Sequence, residues 1–565
     1  MMGPTMRDYM LDTLENLIAP GKRVRLSPFV ESAQFSVLTG EIPDEKRRAE
    51  SSRSILGRNK QRIDQIARQW VEFTREGKDF AANDYTQPDF LDAYLAYYFS
   101  VNVPKIQLVL LDLVRDQQLN GVIKLLDIGV GTGTTAIATL DFLLVLGHVC
   151  DLYGQPFPVT DLQVIGLDRS EGSIGHARRM VNAYAESLDK RLKERNGTES
   201  GQSEGNKARL NPHPDIMQCV HAWASAATWY RHDLKDCPPD PEFKPNLVVV
   251  ANVLNEMPDR GKENLEVFLD RLPQNTIVIT IEPGTEHAAA SLMAWRKNFM
   301  SRNSGFISLA PCGQEFGNRL PEGCERCWNL RRESFHQPSL YKAFREACNK
   351  FFRNERSLEG YDPYENKLLS WSYVVLGKLP PSTPSGCGAG RSLRHREIIT
   401  EEISLRYIGS YRNKHGESEP VSHGPDDFEA QKLEGAWKEY LKVCPAPFVD
   451  VSKIALERSP GFQTPPLRYG AKFTASNVQV QRLGEGIYKF VPQGGDCTEI
   501  STQPPVALES SFLPEYDATV RRAIDELAHR LFGFANMWDL QHEMLSRALT
   551  GKRLLGIAAT GGGKS

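Results

Sequence analysis

Five short apolar runs recur from Val122 onward, VIKLLDIG, LQVIGLD, NLVVVANVL, TIVITIEPG and WSYVVLGK, with helix-length stretches between most of them. Strands this apolar need cover on both faces, and helical crossovers between parallel neighbours supply it. The alternation predicts an α/β fold built on a doubly wound parallel sheet. Up to about residue 120 the rhythm differs: in FLDAYLAYYFSVNVPKIQLVLLDLVRDQQ apolar side chains return every three or four residues, so a helical region precedes the sheet.

The densest chemical signal follows the first run. LLDIGVGTGTT places Asp127, Gly129, Gly131 and Gly133 at alternate positions directly after a strand. Glycines there let the turn backbone approach a ligand at the start of the next helix. The spacing is D-x-G-x-G-x-G rather than the G-x-G-x-x-G of dinucleotide sites, and it resembles motif I of class I S-adenosylmethionine-dependent methyltransferases. The resemblance implies a donor site in which Asp168, ending VIGLD, accepts from the ribose hydroxyls and Asp233, in WYRHDLKD, lies at the adenine. The third run delivers Asn252 and Glu256 to its carboxyl end, the edge where open α/β sheets bind ligands. No N-P-P-Y motif is present and no catalytic base is forced by the sequence, so an inactive donor-binding domain is also expected to fit.

Charge excludes little. The formal net charge of −3 over 565 residues argues against wholesale polyanion binding and leaves only local patches for nucleic acid. The N-terminal segment MMGPTMRDYMLDTLENL carries acidic residues where a signal or transit peptide would not, and no run of about 18 uninterrupted apolar residues stands out. A soluble, intracellular protein with no membrane partner is expected. The ten cysteines then read as thiols or metal ligands rather than disulfides.

The polar, Gly/Ser-rich KERNGTESGQSEGNKARLNPHP reads as a surface insertion and KLPPSTPSGCGAGRS as a linker. Short alternating runs between 395 and 500 predict a small β-containing domain, and STQPPVALESSFLP connects it to the last helices. The expected divisions are a helical region over 1–120, a methyltransferase-like domain over 121–380, the β domain over 395–500 and a further segment over 510–565.

Cys312, Cys324 and Cys327 cluster after the fourth run, TIVITIEPG, with Trp328, Arg331, Arg332 and His336 just beyond. C-x-x-C presents two thiolates to one metal, either zinc or an iron–sulfur cluster, and three cysteines leave one ligand open. Cys387, Cys444 or His336 could supply it. The order AYLAYYF, LLDIGVGTGTT, VLNEMP, IEPGT, cysteine cluster, SYVVL resembles the mitochondrial and bacterial small-ribosomal-subunit assembly methyltransferase-like family. That resemblance spans roughly residues 80 to 380 and implies ribosomal RNA binding and an iron–sulfur cluster.

The last 35 or so residues, LFGFANMWDLQHEMLSRALTGKRLLGIAATGGGKS, resemble the start of RecQ-type DNA helicases. In a phosphate loop of this kind the amides of Gly561, Gly562 and Gly563, after Thr560, surround the phosphates. Lys564 reaches the β/γ pair, Ser565 ligates Mg2+, and Gln541 reads adenine. The resemblance implies an ATP-dependent 3′ to 5′ DNA helicase fused behind the methyltransferase-like domain, with the motor continuing past Ser565. Without a following helix, an acidic strand and an arginine finger, the segment by itself is expected not to hydrolyse ATP.

Overall fold

The computed structural model describes most of residues 6–302, with its longest break at 56–87, then 305–311, most of 331–341 and 368–378. Beyond these it describes backbone strands between 398 and 503. Ahead of the alternating region the described residues include helices α1 (Met6–Ile18), α2 (Pro28–Thr39) and α3 (Pro88–Arg115), with a two-residue strand β1 (Arg23–Val24) between the first two. The alternating region then runs β2 (Gly121–Ile128), α4 (Thr134–Leu152), β3 (Val159–Asp168), α5 (Glu171–Gly197), α6 (Pro214–Ser225), β4 (Thr228–Arg231) and β5 (Leu247–Ala251). It continues through α7 (Asp259–Asp270), β6 (Thr276–Pro283), α8 (Glu286–Arg302), β7 (Phe306–Ala310), β8 (Arg331–Phe335) and β9 (Leu368–Lys378).

The sheet order is β1-β8-β9-β6-β5-β2-β3-β4, with β7 also pairing β9. Strands β4, β3, β2, β5 and β6 are mutually parallel, so their carboxyl ends share one edge. The expectation of a wholly parallel sheet is corrected at β9. It runs antiparallel to β6 and pairs antiparallel with β7 along one half of its other edge and with β8 along the rest. A buried strand is apolar whichever way it points, so SYVVL carried no information about direction. The result is a mixed α/β sheet dominated by parallel strands.

Period-two alternation divides the core into two layers. Ile123 and Leu125 of β2, Val249 of β5 and Ile279 of β6 pack with α1 to α6, while Leu126, Ile128, Val248 and Val278 pack with α7 and α8. Each such buried side chain contributes roughly 1.5–3 kcal/mol relative to exposure. Helix α4 has the length and apolar composition of a membrane span, unlike the sequence expectation, yet 89% of that stretch is buried inside the protein, as befits a core helix.

Two clusters of buried polar groups fasten the helical layer. Asp141, in mid-α4, accepts from Ser27 Oγ, from Gln107 Nε2 at 2.8 Å and from Tyr184 Oη at 3.1 Å, joining α2, α3, α4 and α5. Arg331, singled out beside the cysteines, serves a similar purpose. It pairs with Asp112 at 2.6 Å and lies over the Trp371 ring, while Tyr373 Oη donates to Asp112, so β8 and β9 are fastened to α3.

Part of the expected surface insertion is helix: α5 continues through KERNG to Gly197, and α6 begins after His213, whose ring accepts from the Asp215 amide. Among the described residues between 398 and 503, eight strands form a second sheet, almost entirely antiparallel, with one parallel pair between Lys453–Leu456 and Ile487–Pro492.

Candidate functional site

The turn after β2 is built by glycine. Gly129, Gly131 and Gly133 hold φ of +77°, +54° and +83°, a region costly for residues with a Cβ. Gly133 caps α4, and a Cβ there would lie 3.0 Å from the Ala177 Cα of α5, so helix and turn meet backbone to backbone. The Gly129 and Val130 amides donate to the Leu167 carbonyl, tying the turn to β3.

Asp168 ends β3 beside this turn. Its Oδ2 accepts from the Gly131 amide at 3.0 Å and its Oδ1 from the Ser170 amide at 2.8 Å. Burial raises its pKa, against the pull of those amides and of Arg169. Two amides use part of a carboxylate's acceptor capacity, so lone pairs remain on a fixed carboxylate for ligand hydroxyls.

The carboxyl ends of β2 to β5 open into a cleft of about 830 Å³ measured out to its mouth. Gly129, Gly131, Asp168, Asp233 and Asn252 all line it, together with Glu256. Asp233 Oδ1 accepts from the Lys235 amide at 2.9 Å, fixing the loop after β4. Asn252 has φ of 57°, uncommon for a residue with a side chain but tolerated by Asn, and its amide donates to Ile281 O at 2.7 Å.

Two predicted residues stand behind the cleft instead of in its lining. Gly133 organises the helix start. Asp127 is 1% exposed, and neither carboxylate oxygen meets a donor in hydrogen-bond geometry. Burial pushes its pKa up to about 7, with the neighbouring Thr135 hydroxyl opposing the rise and Asp168 adding to it. An ionised, unpartnered carboxylate at the end of β2 favours a cation in the space beyond the turn.

Sequence reasoning missed two contributors. Glu282 ends β6 and is buried, with its pKa up to about 7 from that burial. Its carboxylate accepts from the Leu254 amide and from Asn255 Nδ2, both at 2.8 Å, and so staples the loop that carries Asn252 and Glu256. The signal was an acidic residue closing an apolar strand, the pattern that identified Asp168. Tyr94 of α3 also lines the cleft, and burial, then Glu256, raises its pKa. Its position in a helix far upstream gave no comparable signal.

Cys312, Cys324, Cys327, Cys387 and Cys444 lie outside the described residues, as do Gln541 and Thr560 to Ser565. Of the ligand candidates only His336 is described; it is exposed, and its amide donates to Val24 O. Among the described residues no group of three or more His, Cys, Asp or Glu is arranged to hold a metal.

No family model matches the chain, and no curated protein matches it. Several solved structures resemble part of it. The methyltransferase domain of a bacterial protein, CtHen1-C, is 11% identical over 50% of this chain and 100% of its own, with a TM-score of 0.25. The [4+2]-cyclase SpnF is 14% identical over 48% of this chain and 81% of its own, with a TM-score of 0.24. A putative RNA methyltransferase from Pyrococcus horikoshii is 7% identical over 49% and 83%, with a TM-score of 0.23.

Proposed function

We propose that the cleft binds S-adenosylmethionine and that the α/β region is a methyltransferase-like donor-binding module. The observation that carries this reading is the convergence of Gly129, Gly131, Asp168, Asp233 and Asn252, from four separate loops, on one cleft at the carboxyl edge of the sheet. Asp168, held by the Gly131 and Ser170 amides, would take the ribose hydroxyls, and Asp233 the adenine side. Asp127, whose buried oxygens lack donors, supplies a negative field suited to a cationic ligand. When bound, the donor would bring a sulfonium-activated methyl group. The chain's own residues bind and orient it, and Glu282 keeps the 252–257 loop in place. Titration calorimetry with S-adenosylmethionine is the test: wild type binds and Asp168→Ala does not, whereas equal affinity for the two proteins rejects the site.

The acceptor chemistry is a separate reading. The cysteine segment and the family-like order of motifs favour an RNA-binding ribosome-assembly factor carrying an iron–sulfur cluster or zinc. Iron and sulfide analysis of anaerobically purified protein, with Cys324→Ser as control, tests it; a metal-free, stable product counts against it. The T-G-G-G-K-S loop favours a RecQ-like helicase acting on DNA with ATP and Mg2+. DNA-stimulated ATP hydrolysis, lost in Lys564→Ala, is expected on that reading.

A further inference from the structure

A directional hydrogen-bond chain runs along one face of α3 into the cleft. Lys105 is buried, and its Nζ donates to Asn102 Oδ1 at 2.9 Å. An ammonium only donates, so it settles which end of the Asn102 amide is oxygen. The other end, Nδ2, then donates to Tyr94 Oη at 3.3 Å. A phenol oxygen that accepts from this direction must send its own hydrogen elsewhere, and among the described residues that hydrogen meets no acceptor. Tyr94 lines the cleft, so the unused donor belongs to the site and not to the core. Three residues at i, i+8 and i+11 share a helix face, which is why the chain is continuous.

The charge around this donor narrows what it receives. Lys105 places a buried positive charge at the far end of the chain, which polarises Asn102 and Tyr94 toward a negatively charged acceptor. The charges of Glu256, which also lines the cleft, and of Glu282 both act on Tyr94, so the same end of the cleft also attracts a positive group. A zwitterion meets both conditions: its ammonium is drawn to the acidic side while its carboxylate accepts from Tyr94. Resting on the donor-site reading above, we infer that Tyr94, aimed by Asn102 and Lys105, is the hydrogen-bond donor to the carboxylate of the ligand's amino-acid moiety. Tyr94 would touch the ligand; Asn102 and Lys105 are positioning residues acting through it.

Two related probes isolate this contact. S-adenosylhomocysteine carries the amino-acid moiety, and methylthioadenosine keeps the adenosine and the neutral thioether without it. Titration calorimetry should show Tyr94→Phe weakening S-adenosylhomocysteine about tenfold, the scale of a lost hydrogen bond to a charged group, with methylthioadenosine unchanged. Asn102→Asp should do the same without touching the cleft. The new carboxylate accepts from Lys105 and from Tyr94, turning the phenol hydrogen away from the ligand, and its ion pair with Lys105 keeps the melting temperature from falling. The double variant should lose no more than either single one. Unchanged S-adenosylhomocysteine binding in Tyr94→Phe overturns the contact, and equal weakening of both probes overturns it as well. Full affinity in Asn102→Asp beside a weakened Tyr94→Phe overturns the orienting chain. If wild type binds neither probe, the donor-site reading itself fails and this subsite with it; if methylthioadenosine binds normally while the variants make no difference, only the present inference fails.

Discussion

Asp141 and Asp127 are both 1% exposed and both raised in pKa by burial, to about 6 and about 7, yet they sit in opposite circumstances. Asp141 in the helical layer accepts from three side chains on three elements; Asp127 at the sheet edge accepts from none in hydrogen-bond geometry. A buried carboxylate with a full set of donors holds elements together. One without them costs stability, and the donor-site reading proposed above gives it a cationic ligand. The two regions thus divide labour: a polar-stapled helical layer supports an edge whose charges await partners.

Removing Asp141 should have the largest effect, because Ser27, Gln107 and Tyr184 would be left as buried donors without an acceptor. Asp141→Ala should cost about 3 kcal/mol in denaturant unfolding, while Asp141→Asn, which keeps one acceptor oxygen, should cost less. A loss under about 1 kcal/mol for Asp141→Ala would erase the contrast with Asp127.

Gly133→Ala comes next. It forces a Cβ to 3.0 Å from Ala177 Cα at φ of +83°, and about 2 kcal/mol of destabilisation is expected. Unfolding free energy within about 0.5 kcal/mol of wild type would mean the α4–α5 contact yields easily.

The smallest effect sharpens the comparison through its sign. Asp127, Asp141 and Glu282 all bind their protons more tightly when folded, since burial raises each pKa above the ordinary carboxylate value, to about 7, 6 and 7. Their stabilising contribution is therefore complete below about pH 4 and is lost as pH rises through 6 to 7. The ligand-free protein should unfold at a lower temperature at pH 8 than at pH 5. Asp127→Asn should recover about 1 kcal/mol at pH 8 and little at pH 5, while weakening S-adenosylmethionine binding. In wild type the affinity for that cation should rise with pH through about 7, as Asp127 ionises. A flat pH profile in both measurements would show that burial does not hold the Asp127 proton.

Much of the sheet was legible because buried parallel strands are apolar runs, and β2, β3, β5 and β6 each fall on one, whereas the short, largely exposed β4 does not. The glycine turn was legible for a related local reason: positive φ and close backbone approach can be met by few residues, so Gly129, Gly131 and Gly133 announce themselves. Asp168 could be read because it closes a strand at the ligand-binding edge. Glu282 closes a strand in the same way, but its role depends on reaching the Leu254 amide of another loop, which local pattern does not encode.

The sequence by itself determined the alternation of strands and helices and the chemistry of the turn, since both follow from periodicity and steric limits acting over a few residues. Only the tertiary structure decided the antiparallel direction of β9, the pairing of Asp141 and the isolation of Asp127, because these depend on which groups meet across the core. It also brought Tyr94 from α3 to the cleft, with its hydroxyl oriented by Asn102 and Lys105. Hydrogen-bond direction depends on the whole chain of donors and acceptors, and that chain exists only once the helix has packed.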